Sequence, residues 1–106
     1  PRVTTSDYIL RYVRSTNDSK NSEFEKLYKL ANGKAEALEF IIKESSSVSG
    51  IPLQDLNLRK NTLIGCIYRN GHVIIPSGQD MMMEGDSVLV VISGYRISDI
   101  REILED

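Results

Sequence analysis

Residues that could carry a reaction are few and scattered along the chain. His72 is the only histidine and Cys66 the only cysteine among 106 residues. A nucleophile needs a base held within hydrogen-bond reach, and this pair offers no convincing couple. His72 follows the Asn70-Gly71 dipeptide, a position that points it to solvent. Cys66 sits inside an apolar run and reads as a small core hydrophobe. A single cysteine excludes an internal disulfide and a cysteine-rich zinc site. Ser45-Ser46-Ser47 has no activating base beside it. Glu84 and Asp86 flank Gly85, but no further oxygen cluster joins them to complete a cation site. The glycines at 65, 71, 78, 85 and 94 are spread out, with neither P-loop nor Gly-x-Gly-x-x-Gly spacing, so this stretch is not expected to hold a dinucleotide. No catalytic residue and no metal ligand is therefore assigned. The sequence reads as a binding and assembly module, not an enzyme.

Composition narrows the class further. A net charge of −2 without a basic cluster argues against a nucleic-acid partner. No apolar run exceeds six residues, too few to span a bilayer. Hydrophobic residues at 41% and charged residues at 26% are ordinary for one soluble globular domain. No secretory leader pattern opens the chain. Its first residue is Pro1 rather than methionine, as expected of a piece of a longer polypeptide.

The elements that would position any site centre on Asn61 to Ile92. Leu63 to Arg69 and Val73 to Ile75 are apolar runs separated by Asn70-Gly71, the strongest short-range signal for a tight antiparallel hairpin. After a loop holding Pro76, Gly78, three methionines and the turn Glu84-Gly85-Asp86, Ser87 to Ile92 reads as a third strand. Met82 is expected in the core, and Met81 and Met83 cannot both share its face. Asp86 is placed to cap the turn by bonding nearby amides. Leu63, Ile64, Cys66 and Ile67 put apolar residues on both faces of one strand. Either helices of this chain cover both faces, or one face meets a partner. Upstream, Tyr8, Ile9, Tyr12 and Val13 make one helical stripe over Thr4 to Ser15. Asn17 to Asn21 is a polar break. A second helix starts near Ser22, where Ser22-x-x-Glu25 has capping-box spacing, and ends near Gly33. Pro52 to Asp55 is expected to form one or two helical turns, with Leu53, Leu56 and Leu58 anchoring the segment. A last helix starts at Arg96 or Ser98 and carries Ile97, Ile100, Ile103 and Leu104. Lys34 to Glu44 is ambiguous: Ala35 to Glu39 are good helix formers, yet Leu38, Phe40 and Ile42 alternate as a strand would.

Taken together, Gly50-x-Pro52-Leu53, Asp55-Leu56, the strand ending in Arg69, Gly71, Ile75-Pro76, Gly78 and Gly85-Asp86 before a β run resemble the C-terminal subdomain of RCK (regulator of potassium conductance) proteins, the TrkA-C domain. The likeness covers Lys34 to about Ile103. It implies an α+β fold of β-α-β-β-β-α order over residues 33–106, with Lys34 to Glu44 as its first strand. Residues 1–32 become a helical lead-in from an N-terminal Rossmann half, where NAD(H) or ATP would bind. The resemblance further implies a cytosolic regulatory domain of a Trk-type potassium uptake system, peripheral at the inner face of the membrane and held to a membrane-embedded potassium transporter subunit. Similar modules serve other cation or anion transporters, and a free-standing small-molecule sensor is the other alternative. Family members pair two-fold through this subdomain. Some bind a small ligand, in several bacteria a cyclic dinucleotide, in the cleft between the paired copies. The residues matching that region are Arg59, Leu63, Ile64, Cys66 and Ile67, with Arg59 suited to a phosphate. Members that bind the cyclic dinucleotide carry a polar residue near the start of this strand. This chain has Leu63 there, with Asn61 two positions earlier.

Overall fold

A computed structural model describes residues 2–4, 35–44 and 46–105. The two helices expected between Thr4 and Gly33 lie outside these residues, apart from Thr4 itself. Thr4 is not helical. It closes the short strand β1 (Arg2–Thr4), which pairs antiparallel with Ala37–Glu39. The other strands are β2 (Glu36–Ile41), β3 (Thr62–Arg69), β4 (His72–Ile74) and β5 (Ser87–Ile92). They form one sheet in the order β1-β2-β5-β3-β4, and every neighbouring pair is antiparallel.

Strand wins over helix propensity in β2 because alternation buries one complete face. Leu38, Phe40 and Ile42 enter the main core together with Ile64, Ile67, Met82, Val88, Val90 and Ile92. The hairpin forms as its dipeptide predicts. Asn70 and Gly71 both adopt positive φ, 50° and 80°, as a type I′ turn demands. Met82 is fully buried, whereas Met81 and Met83 are exposed.

Irregular chain, not α-helix, covers the main core among the described residues. Pro52 precedes a single 3-10 turn, Leu53–Asp55, as its cap and not as its first helical residue. That segment is laced to the methionine loop: Gly50 donates to the Met82 carbonyl at 2.8 Å, Leu53 to Asp80 at 2.9 Å and Gln54 to Gly78 at 2.9 Å. The last helix is likewise one 3-10 turn, Ile100–Ile103, capped by Asp99. It stops because its last groups find better partners. The Ile103 carbonyl accepts from the Arg59 amide at 2.8 Å, and the Glu105 amide donates to Asn57 at 2.7 Å, so Leu104 turns extended and bridges Leu58. Ile100 and Ile103 are buried, the i, i+3 pair that a 3-10 turn stacks on one side.

One irregularity sets the whole register of β3. Thr62, Leu63 and Ile64 oppose Ile92, Val91 and Val90, but Cys66, Ile67 and Tyr68 oppose Leu89, Val88 and Ser87. Gly65 is the extra residue, a β-bulge. Strict alternation would put Ile64 and Cys66 on one face. The bulge instead sends Ile64 and Ile67 into the main core and Leu63 and Cys66 to the opposite face, with Ala35, Ala37, Leu89 and Val91. On that second face Ala37 and Val91 have no exposed area, while Leu63 and Cys66 stay half-buried. Without Gly65, Ile64 and Cys66 become neighbours that still oppose Val90 and Leu89, so Ile64 and Ile67 keep the core face. Deleting Gly65 should therefore be tolerated, at a cost within the ordinary range of about 0.5–3 kcal/mol. Urea unfolding of the deletion variant should stay cooperative; loss of the transition would show that the bulge itself, and not the register on either side of it, holds the sheet.

Candidate functional site

The most elaborate polar cluster is built where β3 ends and β5 begins. Tyr68 opposes Ser87, so the next residues along, Arg69 and Asp86, face each other across the two strands. Arg69 Nε donates to Asp86 Oδ1 at 2.9 Å and Nη2 donates to Oδ2 at 2.8 Å, a bidentate pair. The same Nη2 donates to the Met81 carbonyl at 2.8 Å, and the Met83 amide donates to Asp86 Oδ2 at 2.8 Å. Asp86 is 1% exposed. Burial pushes its carboxyl up. The bonds from Arg69 and the Met83 amide, together with the Arg69 charge, outweigh this and hold it below the usual carboxylate range. The expected capping of the turn is present, but the arginine is the larger partner. Such a pair, saturated by its own neighbours, is built to hold the fold and offers no free group for chemistry.

Sequence reasoning singled out five ligand-site residues, and the structure divides them. Ile64 and Ile67 are buried in the main core, at 3% and 0% exposure. Leu63 and Cys66 are half-buried on the other face. Burial pushes the Cys66 thiol up, as does the nearby Glu39 charge, against a smaller opposing effect of a backbone hydrogen bond at Leu89. Arg59 precedes the strand. Its guanidinium carbon lies 3.8 Å from the centroid of the Tyr95 ring. The Tyr95 hydroxyl in turn is hydrogen-bonded to Thr62 Oγ1. Sequence reasoning missed both Arg69–Asp86 and Arg59–Tyr95. The first was open to inspection only with the bulge counted. The second joins residues 36 positions apart and left no local signal.

His72 is exposed, as its place after the turn suggested. Among the described residues no group of three His, Cys, Asp or Glu side chains could hold a metal ion, and no helix is long and apolar enough to cross a membrane. A cleft of about 740 Å³ opens between the end of β2 and residues 98–101. Its charged groups are partly spoken for: Asp99 pairs with Arg101 at 3.1 Å, and Glu39 accepts from the Ser87 hydroxyl at 2.9 Å.

Residues 37–105 match the family profile of the TrkA-C domain. The chain belongs to the TrkA-C domain family. It is 32% identical, over 97% of its length, to the Trk system potassium uptake protein TrkA of Azorhizobium caulinodans, of which it covers 21%. It is 41% identical over 58% of its length to a Trk system potassium uptake protein TrkA homolog of Archaeoglobus fulgidus, covering 14% of that protein. A Pyrococcus abyssi homolog of the same name is 32% identical over 67% of the chain, which covers 32% of it. The chain thus spans a third or less of these relatives. A solved structure described as an RCK domain with cda is similar at 22% identity and a TM-score of 0.48, over 57% of this chain and 81% of that one. Within this TrkA-C domain, the Gly85-Asp86 pair preceding β5 and the arginine closing β3 are the two halves of one ion pair.

That pair predicts an acid-sensitive fold. The native Asp86 carboxyl titrates below its unfolded value of about 3.9, so its contribution is complete above that value and disappears as pH falls through the native one. Asp86→Asn keeps an acceptor for Met83 but loses the charged pair, and should cost about 2–3 kcal/mol at pH 7. Urea unfolding from pH 7 to pH 2 should show the wild-type advantage shrinking toward zero. An equal difference at both ends would mean that the charge contributes nothing.

Proposed function

We propose that this chain is a non-catalytic regulatory domain of a Trk-type potassium uptake protein, working on the cytoplasmic side of the membrane beside a membrane-embedded potassium transporter subunit. The observation that carries this reading is the likeness to the Azorhizobium caulinodans TrkA protein, which runs over 97% of the chain. The geometry agrees with it. The conspicuous polar cluster, Arg69–Asp86, is consumed in holding loops, and the reading asks no side chain to break a bond.

On this reading the domain pairs two-fold with a second copy and binds a small phosphate-bearing ligand, a cyclic dinucleotide, beside Arg59. Of the residues first considered, Arg59 supplies the charge, and half-buried Leu63 and Cys66 supply apolar contact. Ile64 and Ile67 act behind them by fixing the strand. Residues 1–32 connect to a Rossmann half, where NAD(H) or ATP binds. The support for that connection is length: the relatives are several times longer than this chain. Coupling then requires that a ligand bind one arrangement of copies better than another.

Two measurements on this chain test the proposal. Sedimentation should give twice the monomer mass. Cyclic di-AMP at about 100 times its dissociation constant should add about 2.7 kcal/mol, raising the melting temperature by about 10 °C, with no such gain in Arg59→Ala. A monomer in sedimentation that also ignores cyclic di-AMP, NADH and ATP would overturn both the assembly and the sensing parts.

A further inference from the structure

Arg59 is held more firmly than a surface arginine needs to be. Its backbone amide donates to the Ile103 carbonyl at 2.8 Å, and the flanking Leu58–Leu104 bridge ties the same stretch to the end of the chain. Its guanidinium carbon lies 3.8 Å from the Tyr95 ring centroid. The ring is fixed in its turn. Tyr95 packs against the main core, and its hydroxyl meets Thr62 Oγ1. The Thr62 hydroxyl also lies 3.3 Å from the Lys60 carbonyl. Either hydroxyl can donate to the other, and in both cases the bond ties the ring to β3. Arg59, Tyr95 and Thr62 form a chain that starts in β3 and ends in a cation.

Among the described residues this cation has no anionic partner: no carboxylate forms an ion pair with Arg59, and its side chain donates no hydrogen bond there. Arg69 and Arg101, by contrast, each hold an aspartate. A guanidinium resting on a ring uses its π face. Its five N–H donors lie in its own plane and remain available, in the fork that matches phosphate or carboxylate oxygens two at a time. An arginine already fixed in one orientation also loses less rotamer freedom when an anion arrives.

We propose that Tyr95 is a positioning residue for a phosphate-binding site at Arg59: its ring holds the guanidinium ready for an anion, and Thr62 holds the ring. This inference rests on the ligand-sensing part of the function proposed above and adds to it the residues that set affinity. The phosphate can belong to a cyclic dinucleotide or to a small free polyphosphate, and the two are separated by the probes used.

The test measures binding of cyclic di-AMP and of inorganic pyrophosphate by calorimetry to the wild type, Arg59→Ala, Tyr95→Leu and Tyr95→Phe, with the Arg59 Nε–Hε resonance followed in parallel. In the wild type that resonance should be displaced by the ring current and should move again on titration. Tyr95→Leu should return it to its ordinary position and weaken cyclic di-AMP binding about 2- to 30-fold. Tyr95→Phe keeps the ring, loses the bond to Thr62 and should fall between; it also serves as the folded control if Tyr95→Leu is too unstable to use. Pyrophosphate binding with the same Tyr95 dependence assigns the affinity to phosphate alone. Its absence beside intact dinucleotide binding assigns part of it to the rest of that ligand. Either pattern supports the proposal. Tyr95→Leu and Tyr95→Phe binding like the wild type, while Arg59→Ala fails, would overturn the role of Tyr95 and leave the sensing function standing. Wild type and Arg59→Ala behaving alike with both probes would remove the sensing function and this inference with it.

Discussion

A carboxylate with 1% exposure constrains everything near it. Asp86 cannot remain ionised in that position without several donors, because burying an unpaired charge costs more than a small domain has to spare. Its side chain accepts from Arg69 twice and from the Met83 amide once. Its backbone works equally hard: its carbonyl accepts from the Ile42 amide at 2.8 Å, and its amide donates to Met83 at 3.0 Å. One residue thus joins the end of β2, the end of β3 and the methionine loop. Arg69 meets it because Gly65 is bulged out of the ladder. Were Gly65 paired in register with Leu89, the residue opposite Asp86 would be Tyr68. The bulge, the buried aspartate and the terminal arginine are three parts of one arrangement: the bulge sets which residue of β3 lies beside Asp86, and the arginine there supplies the charge.

What could be read from the sequence followed from local rules. Asn70-Gly71 specifies its turn because each residue must reach positive φ, and both do. Alternation in Leu38, Phe40 and Ile42 marks a strand face even against the helix propensity of Ala35 to Glu39, since burial of three large side chains outweighs propensity differences of a few tenths of a kcal/mol per residue. Asp86 as a cap was legible because Met83 is three residues away. Its arginine was not, because opposing residues in β3 and β5 can be matched only after the bulge is counted. The same single-residue shift decides how the candidate site divides. Strict alternation would group Ile64 with Cys66 and Leu63 with Ile67, whereas the bulge groups Ile64 with Ile67 and Leu63 with Cys66. The helical turns were misjudged for a tertiary reason. Periodicity at Ile97, Ile100, Ile103 and Leu104 suits an α-helix, but the strand-like contact with Asn57 to Arg59 takes the backbone groups that a longer helix would need.

The two polar clusters stand at opposite ends of β3. Thr62, at its start, bears on Tyr95 and through it on Arg59. Arg69, at its end, is locked to Asp86. Seven steps along a strand span about 23 Å, and between them Ile64 and Ile67 are buried in the main core. A close-packed sheet of this kind does not deform gradually. On the function proposed above, an anion held by Arg59 would leave the interior nearly unchanged and would act by altering which arrangement of neighbouring copies is preferred. The stiffness supplied by Arg69 and Asp86 would then keep the far end of β3 from absorbing a displacement made at the near end, so that binding energy differing between two arrangements would appear at their boundary.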